Sequence, residues 1–232
     1  MAKIKIDVTQ VSQAKKMFET FSYHTIRSTK LSKPINTTDF SNKLREIGDI
    51  FIKENQKEGM NRYSKKLAET LVELKNHQLA GRIYSFLIKF NKGNKKLIEE
   101  FATNALAIAK RLHDPVHIMA RANDLKEIYK YTKPNSDKHL SVLFDEKKAL
   151  GSIIRDYESA KKRFISTNTA MKPVEKYEEK LAAIKIEIAE LLIERGEIGA
   201  AKIELETALK IYEKFGKGPN TEKAEKLLKE IE

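Results

Sequence analysis

The chain contains no cysteine. Disulfides, thiolate metal sites and cysteine nucleophiles are thereby excluded, and the redox compartment is left open. Tryptophan is absent too, and nine Gly and five Pro are few for 232 residues. What fills the sequence instead is Glu, Lys, Leu, Ile and Ala, a composition that favours helix. Long apolar runs are also missing. The longest spans Ala105 to Ala109, far short of the roughly 20 residues that cross a bilayer. The opening Met-Ala-Lys-Ile-Lys-Ile-Asp has no apolar segment suited to a signal peptide, and no lipidation motif stands out. The expectation is a soluble cytoplasmic protein with no membrane partner.

Acidic residues are scarce in one part of the chain. The formal net charge is +12. Residues 173 to 232 hold 11 Lys and Arg against 14 Asp and Glu, a net of −3. Residues 1 to 172 hold 34 against 19, a net of +15. That asymmetry predicts an acidic partner for the first three quarters of the chain. Solubility alone accounts for much of a lysine-rich surface.

The most interpretable stretch is Ile188 to Ile211. Ala189, Leu192, Gly196, Ile198, Ala201, Leu205, Ala208 and Leu209 fall at the spacing of a helix, a Gly-bearing turn and a second helix. Gly196 stands where the first helix must end, and Gly tolerates the left-handed backbone that closes many helices. Ala201 and Ala208 are two turns apart on one face of the second helix, where small side chains let paired helices approach. Leu192, Ile198 and Leu205 are expected to fill the space around them.

These residues resemble one tetratricopeptide (TPR) unit, a helix hairpin that stacks on its neighbours. The resemblance covers residues 173 to 232 and, in part, 61 to 132, where Leu67, Ala68, Leu71, Ala80 and Tyr84 match again. Asn104 to Asp114, followed by Ala120, Leu125, Ile128 and Tyr129, resembles a junction between units. Residues 1 to 60 carry no such likeness. The frames begin near Leu67, Asp124 and Ile188, and their separations of 57 and 64 residues are not multiples of the TPR period of about 34. The resemblance implies a right-handed superhelical stack whose concave groove is lined by the first helix of each pair and holds a peptide.

Taken in order, residues 3 to 6 read as a strand or an extended lead-in. Helices are expected from about Val8, from Thr37 to Gly59, and from Asn61 to Asn76, with an Asn76-His77 turn. Others follow from Gln78 to Asn91, Lys95 to Leu112, and from Asp114-Pro115 to Tyr131. Asp114 before Pro115 is a strong restart signal, an N-cap followed by Pro at the first helical position. Pro134 to Asp137 breaks and recaps the chain. A long helix then runs to Ile165, with an interruption expected at Gly151. Ser166 to Pro173 reads as a linker. The C-terminal helix, Thr221 to Ile231, presents one narrow stripe of Ala224, Leu227, Leu228 and Ile231, as a terminal cap should. The expected fold is all-α, about ten helices. Residues 1–172 form a basic array and 173–232 a TPR-like hairpin plus cap, in one continuous stack.

Catalytic signatures are missing. Gly216-Lys-Gly-Pro-Asn220 lacks nucleotide-loop spacing, and no Gly-x-Ser-x-Gly or His-Glu-x-x-His occurs. The acidic residues read as solvated helix faces, such as Glu206 with Lys210. His113 and His117 have metal-site spacing, but Pro115 breaks the helix between them. His24, His77 and His139 stand alone and read as surface or hairpin residues. No enzyme, cofactor or metal is expected. Lys57 to Asn61 is the only Lys-x-x-x-Asn of the peptide-clamp type, and Gly59 interrupts it. The candidate contacts for an acidic ligand are Lys92, Lys95 and Lys96 at one turn, and Lys161, Lys162 and Arg163 late in the long helix. Phe86 and Phe90 lie near the first cluster, Tyr157 and Phe164 near the second. The expected function is a non-catalytic protein-interaction module, a scaffold, adaptor or chaperone. The alternative is a nucleic-acid-binding helical repeat using the basic residues of 1–172.

Overall fold

A computed structural model describes residues 12–163, 172–216 and 218–232. The expected lead-in at 3–6, most of the linker at 166–173, and Phe164 lie outside the described residues. Those residues hold ten α-helices and no strand. The helices are α1 (Gln13–Lys30), α2 (Thr37–Lys53), α3 (Lys57–Glu73), α4 (His77–Phe90), α5 (Lys95–Arg111), α6 (Pro115–Thr132), α7 (Asp137–Arg163), α8 (Lys172–Glu194), α9 (Ile198–Tyr212) and α10 (Pro219–Glu230).

The chain divides into two compact units, residues 1–112 and 113–232. The change of charge at residue 172 falls within the second unit, where α7 and α8 pack on each other. In the first unit each helix packs on the next, α1 also reaches α3, and α2 reaches α4. The second unit runs α6 to α10 in the same sequential way, with α8 also touching α10. Each unit is thus a run of antiparallel hairpins in the α-solenoid manner.

Helices α2 to α7 begin at residues 37, 57, 77, 95, 115 and 137, so successive starts are 18 to 22 residues apart. The regularity escapes a search by apolar identity but is written in the caps. Asn36, Asn76, Asn94 and Asp114 each turn a side-chain oxygen onto the backbone N–H groups of the helix that follows. Ser136 does the same for α7 through His139 N, at 3.1 Å. Each cap satisfies N–H groups that have no partner within the helix.

The turns share a geometry as well. Asn55, Lys75 and Gly196 have φ of 57°, 60° and 76°. The residue after each donates back five positions, Gln56 to Phe51 O, Asn76 to Leu71 O and Glu197 to Leu192 O, at 2.8, 2.8 and 2.9 Å. This is the Schellman arrangement, which closes a helix and starts the next at once. Two expectations are corrected here. Gly59 does not end α2; it lies inside α3, where a Cβ would stand 3.3 Å from buried Phe51. At the Asn76-His77 turn, Lys75 is the left-handed residue and Asn76 caps α4. The helix expected to break at Gly151 runs through it unbroken.

The first unit's core sets a cluster of rings among its aliphatic side chains. Phe18 faces Phe51 and Tyr63 with ring centroids 6.4 and 5.9 Å apart, and Phe21 lies 5.0 Å from Phe40. Fully burying a ring such as Phe51 is worth about 2–3 kcal/mol. The second unit's core is aliphatic, built of Leu143, Leu150, Ile184, Ile188, Leu192 and Leu205, with Ala201 and Ala208 fully buried where α9 meets α8. Ile198, the first residue of α9, does not join it and is 38% exposed.

Candidate binding groove

The apolar periodicity of α1 supplies two faces. Ala14 and Phe18 go to the core. Met17, Thr20, Phe21, His24 and Thr25 advance by three and four and line a groove instead, with Ile35, Asn36, Asp39, Phe40 and Lys43 opposite. The groove encloses about 650 Å³. Its floor is the Phe21–Phe40 ring pair with Met17 and Ile35. The Thr25 hydroxyl is turned away from the opening, donating to Phe21 O at 2.8 Å. The ends are fixed by local chemistry. Asn36 Oδ1 accepts from Thr38 N and Asp39 N at 2.9 and 3.2 Å, which sets where α2 begins. Cations stand at the rim. Lys16 is exposed, and Lys43 is held 2.9 Å from Glu46.

This groove belongs to the unit that carries nearly all the charge. Residues 1–112 hold 22 Lys and Arg against 11 Asp and Glu, a net of +11; residues 113–232 hold 23 against 22, a net of +1. Of the candidate contacts, Lys92, Lys95 and Lys96 are exposed at the start of α5 and in the turn before it. Phe86 and Phe90 are half-buried and pack beside α2. Their rings stack at 5.2 Å, Phe86 Cζ would lie 2.8 Å from a Cβ at Gly48 of α2, and Lys57 Nζ sits 5.4 Å from the Phe90 centroid. Lys161, Lys162 and Arg163 end α7 in the other unit. The structure thus assigns the two predicted clusters to different units.

The clamp-like Lys57 and Asn61 have other partners. Asn61 and Asn91 exchange amide hydrogen bonds at 2.9 and 2.7 Å, and Asn91 also donates to Leu87 O. His113 holds the left-handed position of a turn, φ 51°, while His117 Nδ1 lies 2.7 Å from Asp114 Oδ2. Among the described residues no group of three His, Asp or Glu side chains is placed to hold a metal.

The second unit holds what sequence reasoning missed. Glu146 is fully buried, with Lys180 Nζ at 2.7 Å and Lys126 Nζ at 3.5 Å, and Lys126 also reaches Glu187 at 3.4 Å. The next residue, Lys147, donates the other way, to Glu204, which also accepts from Lys185 at 2.9 Å. Burial alone would raise the Glu204 carboxyl; hydrogen bonds from Lys147 and Lys185, with their charges, outweigh it and hold the carboxyl below its ordinary range. Glu146 and Glu204 are therefore not the solvated helix residues that the sequence suggested. His139 is buried as well, not a surface histidine.

No protein-family model matches the chain, and no curated protein matches it in sequence. Among solved structures it is similar to BtubC (BKLC) from P. vanneervenii, at 15% identity over 90% of this chain and 95% of that one, with a TM-score of 0.33. It is also similar to a circular tandem repeat protein with a novel repeat topology, at 12% identity over 94% of this chain and 58% of that one, TM-score 0.31. A third is the de novo designed helical repeat protein DHR64, at 13% identity over 94% and 91%, TM-score 0.21. At these scores the likenesses carry no argument about function. Among the described residues no helix is long and apolar enough to cross a membrane.

Proposed function

We propose that the protein is a non-catalytic, cytoplasmic helical-repeat module that holds an acidic amphipathic protein segment in the α1/α2 groove. One observation carries the reading: an aromatic and aliphatic floor bordered by Lys16 and Lys43, with Asp39 the one acidic side chain of the lining, in the unit whose net charge is +11. Apolar residues of the bound segment would lie on Met17, Phe21, Ile35 and Phe40, and its carboxylates would meet Lys16 and the surrounding lysine surface. The hairpins are TPR-like in their turns and in the small residues of α9. Their period, 38 to 42 residues from α2 to α7, is longer than the TPR period of about 34.

The same charge supports a second reading, phosphate binding by the exposed Lys92, Lys95 and Lys96. Salt separates the two. Titrating the full chain with a Leu/Glu-based amphipathic helical peptide, and separately with single-stranded DNA and RNA, from roughly 0.05 to 0.5 M salt tests both. The proposal expects peptide binding that weakens only a few-fold across that range. Nucleic-acid binding that is tighter than peptide binding at low salt, and collapses at high salt, would favour the second reading.

A further inference from the structure

The second unit sets one helix hairpin, α6–α7, against another, α8–α9. Four residues join α6 to α7 and three join α8 to α9, whereas eight separate α7 from α8. The short joints are closed by local chemistry, the Ser136 cap on His139 N and the left-handed Gly196. Each hairpin is therefore indexed by its own turn. The longer interval between α7 and α8 has the length to span a slide of one helical turn, about 5.4 Å. Apolar packing discriminates weakly between the two registers. Helix α7 buries Leu140, Leu143, Leu150 and Ile153, and α8 buries Ile184, Ile188 and Leu192. Sliding α7 by three residues puts Leu143 where Leu140 lies and Ile153 where Leu150 lies. The α8 row repeats every four residues in the same way. A core of such similar aliphatic side chains specifies its register poorly.

The charges do not repeat. Glu146 is the one acidic side chain that α7 buries. Three ion pairs cross from the first hairpin to the second. Glu146 of α7 meets Lys180 of α8 at 2.7 Å, and Lys126 of α6 meets Glu187 of α8 at 3.4 Å. Lys147 of α7 meets Glu204 of α9, which Lys185 of α8 holds from the other side at 2.9 Å. Neither oxygen of Glu146 makes an aligned hydrogen bond, so its lysines alone hold the carboxylate. A slide of three residues carries Glu146 into the place of fully buried Leu143 and leaves Ala149 facing Lys126 and Lys180. Separating a buried carboxylate from its cations is among the costliest changes in a protein interior.

We propose that these ion clusters are a register lock, which holds hairpin α6–α7 on hairpin α8–α9 in one register and excludes the neighbouring one, a turn away, that the aliphatic surfaces alone would accept. Opposite signs on consecutive residues sharpen the choice. Glu146 requires lysine on one side of α7 and Lys147 requires glutamate on another, so a slide that loses one partner loses both. The lock acts on the choice of register more than on stability, because replacing a buried ion cluster by apolar side chains of like size is often neutral or stabilising. It is independent of the α1/α2 groove.

The test reads register and stability separately, in the full chain. The sequence has no cysteine, so Arg155→Cys on α7 and Glu194→Cys on α8, both at exposed positions, take nitroxide labels at those two sites alone. Pulsed electron paramagnetic resonance then measures the separation of the labels. A second sample adds Lys126→Met, Lys147→Met, Lys180→Met, Lys185→Met, Glu146→Leu and Glu204→Leu, which removes both clusters together. The expected result is one distance with the clusters present. Without them the protein should stay folded, with a denaturation midpoint above that of Glu146→Ala, and gain a component displaced by about 5 Å, one helical turn. Two results would overturn the proposal. One is a single, unchanged distance without the clusters, which would mean that aliphatic packing sets the register by itself. The other is failure to fold, or a midpoint below that of Glu146→Ala, which would make the charges a source of stability rather than of register.

Discussion

Among the described residues, the first unit buries three polar side chains, Thr25, Ser64 and Asn91, and none is charged. The second buries Lys126, His139, Glu146 and Glu204 along with Thr221. Yet the first unit carries a net charge of +11 and the second only +1. Net charge thus reports the surface. A near-neutral balance can conceal charges placed inside, where the effective dielectric is lower and each pair must match its partner. The first unit obtains specificity from ring shapes around Phe18, Phe51 and Tyr63. The second obtains it from two consecutive residues of α7, Glu146 and Lys147, which face opposite neighbours and demand opposite signs from them.

That contrast is sharpest at Glu146. Glu146→Ala leaves Lys126 and Lys180 without their shared buried carboxylate and is expected to cost about 3–5 kcal/mol, read by chemical denaturation. A loss under about 1 kcal/mol would mean that the second unit does not depend on its interior charges. In the first unit the corresponding polar element is the Asn61–Asn91 amide pair. Asn91→Ala should cost about 1–3 kcal/mol, because the Asn61 amide loses its partner and Leu87 O its side-chain donor.

One buried group in each unit should also give it a pH response the other lacks at that site. His139 has a lowered pKa in the folded state, through burial first and then its cationic neighbours. The unfolded chain therefore takes up that proton first, and stability falls as pH drops below about 6.5. In the first unit, burial and then the charges of Glu69 and Glu100 push the Tyr84 phenol up to about 12. There the folded state holds the proton longer than the unfolded one, so stability falls as pH rises from about 10 towards that value. Hydrogen exchange of α6–α8 and of α3–α5 across pH reads the two effects separately. Acid loss in the first unit alone would break the comparison. The smallest expected effect is at a turn. Lys75 is held at φ 60°, and Lys75→Gly should raise stability by about 0.5–1 kcal/mol.

Much of the fold was legible. Asp114-Pro115, Gly196 and the Pro134 to Asp137 break were read from residues whose backbone preferences are strong and local. The left-handed residues Asn55, Lys75 and His113 were not, because non-glycine residues give no signal of that conformation beyond the N-cap that follows. The boundary between the two units falls at one of these turns, between Leu112 and His113. Lys92, Lys95 and Lys96 were legible as exposed lysines, and the partial burial of Phe86 and Phe90 followed from their one-turn spacing. The α1/α2 groove was hidden because Met17 and Phe21 have the same helical spacing as a core stripe. The buried pairs were hidden too. Lys147 and Glu204 are 57 residues apart, and only the hairpin stacking joins them.

The central claim is that the first unit's groove, rather than its charge alone, selects the partner. The most direct measurement is the affinity of the Leu/Glu-based peptide for the full chain, for Met17→Glu with Ile35→Glu, and for Lys92→Glu with Lys96→Glu. All three should be measured at the same salt concentration. The account predicts that the groove pair loses more than about tenfold in affinity while the surface pair loses about threefold or less. The reverse order would contradict it and would make the lysine surface itself the binding site.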